Sequence, residues 1–302
     1  MNDRRPFTAI ILNAGSGDGA AESARDTLQS LFAAAGHEVT VTLVHSSDDL
    51  RVAVQDALRR NADTIVAGGG DGTVNGVAQL MVGQAAHLGV IPLGTLNHFA
   101  RDLGIPLDLR EAAQIILHGA TMRVDVGEVN GRYFLNNSSL GVYPRIVQLR
   151  ERYKARGVLK WFVAAWATLR VMSANRPLRV RIQVDGRDVD RTTPLVFIGN
   201  NEYRMAGFDA GSRESLVGGA LALYVVKTDG KWRLLRLVWR ILTGTAQRSG
   251  ELAMVRTTDA TIVTSRSPLP VAVDGEVESM RAPLHYRIRP AALHVRVPSV
   301  TR

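Results

Sequence analysis

The chain of 302 residues has no cysteine, which rules out disulfides and thiolate metal sites. It has no uninterrupted apolar run reaching the roughly 18 residues of a membrane-spanning helix. It offers neither an internal repeat nor a low-complexity tract. Met1 to Pro6 leads directly into a strand-like segment and lacks the apolar centre of a signal peptide. A soluble cytoplasmic protein is therefore expected, with peripheral contact at the inner membrane face left open. Acidic residues are in deficit: 28 Asp and Glu stand against 37 Lys and Arg, a formal net charge of +9. That excess favours an anionic partner: nucleic acid, an anionic lipid surface or a phosphorylated substrate. No recognition motif for nucleic acid accompanies the charge, so the expectation is no nucleic-acid partner.

What is present centres on Thr64-Ile65-Val66-Ala67-Gly68-Gly69-Gly70-Asp71-Gly72-Thr73-Val74-Asn75. A short apolar strand breaks into glycines around one carboxylate, and a weakly helical segment follows over 76–81. Backbone without Cβ atoms can approach a phosphate closely. A strand, a glycine turn and a helix start together present free N–H groups to an anion. The Gly-Lys-Ser/Thr of a P-loop and the spacing of the dinucleotide fingerprint are both missing.

The first 120 or so residues alternate strand and helix. Strands fall at 7–12, at Val39, Val41 and Leu43, at the glycine-rich centre and at 88–92. Helical spacing runs over 20–35. Ser47 is placed to cap a helix with Leu50, Ala53, Val54, Ala57 and Leu58 on its apolar face. A short helix is expected over 98–103, and Asp108 with Glu111 has capping-box spacing for the next. The pattern is that of an α/β domain with a mostly parallel sheet. Loops at 13–17, 68–75 and 94–97 each follow a strand's carboxyl end, the edge where ligands bind in such sheets.

From about Met122 the runs become short and alternating, and Asp185-Gly186 and Asp274-Gly275 are hairpin turns. This half reads as β-rich, a sandwich or partly open barrel, interrupted by helical segments near 158–172 and 232–242. The expected division is an α/β domain over 1–123 and a β-rich, sandwich-like domain over 124–302. A last strand near 291–298 is free to pack back onto the first domain.

Four segments occur in order: Gly69-Gly70-Asp71-Gly72-Thr73-Val74-Asn75, Pro92-Leu93-Gly94-Thr95-Leu96-Asn97, Val124-Asp125-Val126-Gly127 and Asp274-Gly275-Glu276. Together they resemble the diacylglycerol kinase catalytic family, the bacterial soluble lipid kinases related to sphingosine and ceramide kinases. The resemblance implies an ATP-dependent enzyme that phosphorylates a lipid hydroxyl with Mg²⁺, in a cleft between an α/β and a β-rich domain. It implies that Asn13, Gly69, Gly70, Asp71, Gly72, Thr73, Asn75, Thr95 and Asn97 hold the nucleotide. Asp71 would orient Mg²⁺ directly or through water, and Asp125 would share that role or cap a turn. Glu276 would be the base with Asp274 in support, two roles that could be exchanged. Being two apart, these carboxylates would face one side of an extended strand.

Departures from the family pattern are equally specific. Gly76 replaces a usual Glu, His98 a usual Asp, and Val44 lies near a common nucleotide-contacting Thr. Residues 216–221 carry no carboxylate where relatives hold a structural Mg²⁺, so no such metal is expected. His98 would substitute as a neutral hydrogen-bonding group or pack against its loop. The basic stretches 150–160 and 231–242, the latter with Arg233, Arg236 and Arg240 on one helical face, have the profile of interfacial helices. They would dock on the lipid surface that holds the substrate, or be solvated faces. A homodimer is compatible with all of this. Competing functions are a kinase of a soluble nucleotide, since nicotinamide dinucleotide kinases share a Gly-Gly-Asp-Gly turn, and a catalytically weak lipid- or nucleotide-binding protein.

Overall fold

The computed structural model describes residues 5–16, 20–142, 144, 177–203, 213, 215–227 and 252–299. The helical segments and basic stretches expected within 150–172 and 231–242 lie outside these residues. In chain order the first elements are β1 (Phe7–Asn13), α1 (Ala20–Ala34), β2 (Glu38–Val44), α2 (Ser47–Arg59), β3 (Thr64–Gly69), α3 (Asp71–Met81) and β4 (His87–Pro92). They continue as α4 (His98–Asp102), α5 (Leu109–His118), β5 (Ala120–Val129), β6 (Arg132–Phe134) and β7 (Asn137–Gly141). Then come β8 (Leu178–Val184), β9 (Arg187–Thr193), β10 (Leu195–Asn200) and β11 (Leu221–Val226). The chain closes with β12 (Leu252–Thr257), β13 (Asp259–Thr264), β14 (Leu269–Val273), β15 (Glu276–Met280) and β16 (Leu284–Val297).

Two compact units result: residues 1–126 with 291–302, and residues 127–290. The chain passes between them inside β5 and inside β16.

In the first unit β1 and β3 are apolar along their length and buried at nearly every position, as expected of parallel strands covered on both faces. The strand order is β2-β1-β3-β4-β16, and the pairs β1–β2, β1–β3, β3–β4 and β4–β16 are all parallel. The edge strand β2 is only half-buried. Ile10, Leu12, Leu28, Phe32, Ile65, Val66, Val77, Met81 and Leu88 are fully buried. Ser46, not Ser47, caps α2: its side chain accepts from Asp49 N. Either serine suits an N-cap, and the backbone turn chooses between them. Asp108 caps α5, accepting from Arg110 N and Glu111 N. Gly76 lies within α3, and a Cβ there would come 3.4 Å from Leu50 of α2.

The second unit is a sandwich of antiparallel sheets. One carries β16-β13-β8-β9 and the other β12-β11-β10-β7-β14-β15. Val180, Ile182, Ile262 and Tyr286 of the first meet Leu140, Val196, Ile198, Leu223 and Val271 of the second in one core. Asp185-Gly186 joins β8 to β9 and Asp274-Gly275 joins β14 to β15, both pairs with positive φ, the conformation of a type I′ turn. Strand β9, Arg187-Asp188-Val189-Asp190-Arg191-Thr192-Thr193, had no apolar alternation to mark it. It is an edge strand exposed at every position but the last, and charge on such an edge discourages further pairing.

Candidate functional site

The order of the first unit's sheet runs outward from β1 to β2 on one side and from β3 to β4 on the other. Between β1 and β3 the direction of winding reverses. Connections leaving these two strands diverge there and open a crevice at their carboxyl ends. Leu12 lies opposite Gly68, so Asn13 and the glycine turn leave the sheet side by side.

The turn is tighter than a flexible loop. Gly69 ends β3, Gly70 is the extended N-cap of α3, and Asp71 opens the helix. Helix thus begins at Asp71 rather than at Gly76. Thr73 and Asn75 therefore sit on its first turns, at the positive end of the helix dipole, which favours an anion. Asn13 Nδ2 donates to Thr73 Oγ1 at 2.9 Å, and Gly15 N donates to Asn13 Oδ1 at 2.9 Å. A Cβ on Gly69 would stand 2.5 Å from Thr73 Oγ1. The third loop closes on the same place. Leu93 N donates to Gly69 O at 3.0 Å, and a Cβ on Gly94 would stand 2.4 Å from Gly70 Cα. Backbone meets backbone there, so neither partner can move aside as a side chain would.

Asn97 holds that third loop. It is buried, with φ of 52°. Its Nδ2 donates to Gly94 O at 2.7 Å and its Oδ1 accepts from Gly94 N at 3.1 Å. Thr95 is exposed and Leu96 is 60% exposed. His98 is exposed at the start of α4 and does not pack into the loop. Asp71 receives one long hydrogen bond, from Phe99 N at 3.4 Å, and remains partly exposed.

Asn75 differs from its neighbours. It is buried to 4% exposure, yet neither Oδ1 nor Nδ2 has a hydrogen-bond partner. Such a group lowers stability until water or a ligand satisfies it. Asp125 lies on β5, equally buried, and its Oδ1 accepts from Ala291 N at 2.9 Å. Ala291 has φ of 51°, so this carboxylate holds a strained point of β16.

In the second unit the Asp-Gly-Glu segment is divided by its turn. Val273 pairs with Glu276 across the hairpin, so Asp274 and Glu276 are not two residues of one strand. The expectation that they share a strand face does not hold, because the reversal at Asp274-Gly275 intervenes. Asp274 accepts from Leu135 N, Asn136 N and Asn137 N at 2.7, 2.8 and 2.9 Å. Burial pushes its carboxyl up to about 6, against these donors and the charge of Arg213. Glu276 is 61% exposed in its side chain and pairs with Arg132 at 3.2 Å. Arg132 also pairs with Glu278 at 2.8 Å.

The sequence reading missed the polar cluster around this hairpin. Arg213 is buried, donates to Leu135 O, and reaches Asn136 Oδ1 at 3.1 Å. Asn200, fully buried, also donates to Leu135 O, at 2.7 Å. Asn136-Asn137 and Asn200-Asn201, two Asn pairs at the ends of apolar strands, were the available signal.

The carboxylates can be tested against a divalent cation. Among the described residues no three His, Asp or Glu side chains converge into a metal cage. Asp71 has oxygen lone pairs to spare. One or two carboxylates with phosphate oxygens and waters are what Mg²⁺ ordinarily uses, so Asp71 fits that ion as one ligand among several.

Comparison with known proteins follows the same division. The diacylglycerol kinase catalytic domain matches residues 8–129. The YegS C-terminal NAD kinase beta sandwich-like domain matches residues 139–297. A diacylglycerol kinase of Bacillus subtilis (strain 168) is 31% identical over 221 residues, covering 70% of this chain and 71% of that one. A diacylglycerol kinase of Staphylococcus carnosus (strain TM300) is 33% identical over 184 residues, 58% of this chain and 57% of that one. The crystal structure of a diacylglycerol kinase from Bacillus anthracis str. Sterne superposes with a TM-score of 0.74 at 22% identity, covering 98% of each chain. At that identity the superposition shows the fold. Among the described residues no helix is long and apolar enough to cross a membrane.

Proposed function

The chain belongs to the diacylglycerol kinase catalytic family, and on that premise we propose that it transfers the γ-phosphoryl group of ATP to a hydroxyl of a diacylglycerol-like lipid. The observation that carries this reading is the closed glycine turn at the β1–β3 reversal. A Cβ on Gly94 would meet the Gly70 backbone and one on Gly69 would meet the Thr73 side chain, beside the start of α3. Phosphoryl transfer asks chiefly for positioning and charge stabilisation, and a dense set of backbone N–H groups supplies both.

Each residue has a role in this proposal. Gly69, Gly70 and Gly72 present N–H groups to the ATP phosphates. Asn13 and Thr73, bonded to each other, line the approach with Thr95. Asn97 keeps the Gly94 loop closed, and the unpartnered amide of Asn75 takes a nucleotide or water contact. Mg²⁺, when bound, neutralises charge on the phosphates; Asp71 would hold it, and Asp125 would contribute a second carboxylate. Glu276 takes the proton of the acceptor hydroxyl. Asp274 supports it by fixing the 135–137 backbone.

The test is transfer from labelled ATP to a panel of diacylglycerol, phosphatidylglycerol, ceramide, sphingosine and nicotinamide dinucleotide. The expected outcome is a labelled lipid, with product lost in Asp71→Asn and Glu276→Gln while melting temperatures stay near wild type. A label found only in the dinucleotide would replace the lipid reading with the soluble one.

A further inference from the structure

The second unit carries a groove of about 600 Å³ on the outer side of the β9-β8-β13 edge. Arg179, Arg181, Asp190, Arg191, Thr192 and Ser265 are among the residues that line it. Its arrangement follows from strand register. Arg179 of β8 lies directly opposite Thr192 of β9. On the other side Val180 pairs with Thr264, the last residue of β13, and Ser265, just past the strand end, lines the same groove. Directly paired residues share a sheet face with Cβ atoms about 5 Å apart. Arg179 therefore shares its face with the Thr192 hydroxyl, and the Ser265 hydroxyl lines the same groove.

Arg181, two residues further along that face, is held in place. Its Nε and Nη2 donate to the two oxygens of Asp190 at 2.9 and 3.3 Å. Arg191 Nη1 donates to the carbonyl of Asp190 at 3.0 Å. Arg179 has no such ion pair among the described residues, and it is exposed. A charged fork with two hydroxyl donors in its groove and a second guanidinium alongside matches the several acceptor oxygens of a phosphate. Val263, 39% exposed, adds apolar surface to the groove.

We propose that this groove binds a phosphate group on Arg179, with the hydroxyls of Thr192 and Ser265. The group reaches it either as the headgroup of an anionic phospholipid or as a soluble phosphate ester. The site is separate from the phosphoryl-transfer reading, and its test contains no ATP, so each can fail without the other.

The experiment compares the full chain with Arg179→Gln and Arg187→Gln. Arg187 is on the same hairpin but opposite Val184, on the other face of the strands, so both variants remove one charge. Sedimentation with phosphatidylcholine vesicles, with and without phosphatidylglycerol, reads the headgroup source. Titration with glycerol 3-phosphate, followed at the Arg179 Nε–H resonance, reads the soluble source. Arg179→Gln is expected to weaken binding to the anionic vesicles about fivefold, the factor matching about 1 kcal/mol for one basic residue at such a surface. Arg187→Gln changes it less than about twofold, with both melting temperatures unchanged. If glycerol 3-phosphate instead shifts the resonance saturably and displaces the vesicles, the soluble ester is the ligand. Equal losses in the two variants, or no binding on either arm, overturns the proposal.

Discussion

Two Asp-Gly pairs stand at strand ends in this protein, and they do opposite things. Asp71-Gly72 follows β3, and its carboxylate receives one long N–H contact while staying partly open to solvent. Asp274-Gly275 follows β14, and its carboxylate accepts three short backbone bonds from residues 135–137. One acid is available to a ligand and the other is engaged by the protein itself. The dipeptide is the same. What differs is where the next segment of chain runs: into a helix that leaves its N–H groups free, or back along a strand beside another chain segment whose N–H groups need an acceptor.

This contrast is sharpest in turnover. Asp71→Asn should lower phosphoryl transfer by on the order of 10²–10³, the usual scale for losing one electrostatic contact in a transition state. Its melting temperature should stay near wild type. Labelled-ATP assays on purified variants check both. If Asp274→Asn lowered transfer as far without loss of stability, the contrast between the two acids would collapse.

The glycine turn can be broken from its neighbour. Gly94→Ala places a methyl 2.4 Å from Gly70 Cα, a backbone clash expected to cost about 1–3 kcal/mol. Urea unfolding measures the stability loss, and ATP-induced thermal stabilisation should vanish with it. Retained stabilisation would show that the loops need not meet.

Asp274→Asn acts in the other unit and on stability. Asparagine keeps one oxygen for Asn136 N and Asn137 N but turns an NH2 toward Leu135 N, which should cost about 1–3 kcal/mol. The pH dependence gives a signature. With the folded carboxyl raised to about 6 above its ordinary value, the folded state binds more protons than the unfolded one between about 4 and 6. In that window this group makes stability fall as pH rises, and above it the contribution is flat. The Asn variant should lose that downward slope in pH-dependent urea melts.

The smallest expected effect is at Asn75. Asn75→Leu replaces an unpartnered buried amide by an apolar group of similar size, so stability should change by less than about 1 kcal/mol or rise. Stabilisation by ATP should still fall. A stability loss well beyond that would reveal that the amide is bonded within the protein.

Much of this was legible in the residues. Continuous burial makes a parallel strand read as an unbroken apolar run, and β3 with its glycines was visible for that reason. The Asp108 cap was visible because an aspartate before a helix has one local use. Strand β9 was not visible: an edge strand buries little, so no apolar alternation marks it. The last strand expected near 291–298 begins earlier, at Leu284, as β16, because a positive-φ residue, Ala291, is absorbed without breaking the element. The buried cluster of Arg213, Asn136 and Asn200 was hidden since its members are remote in sequence.

The sequence by itself determined most of the elements of the first unit and the residues of the glycine turn, which follow from local chemistry: periodicity, capping and the glycines that permit close approach. The order of four short motifs carried the resemblance to the family. Only the tertiary structure decided which acid is free and which is held. It also decided that Glu276 lies beyond a turn from Asp274 and pairs with Arg132, and that Arg179 lies opposite Thr192. These depend on strand register and on donors brought from distant segments. A carboxylate's role is set by the N–H groups and charges around it, and those are assembled only when the chain folds.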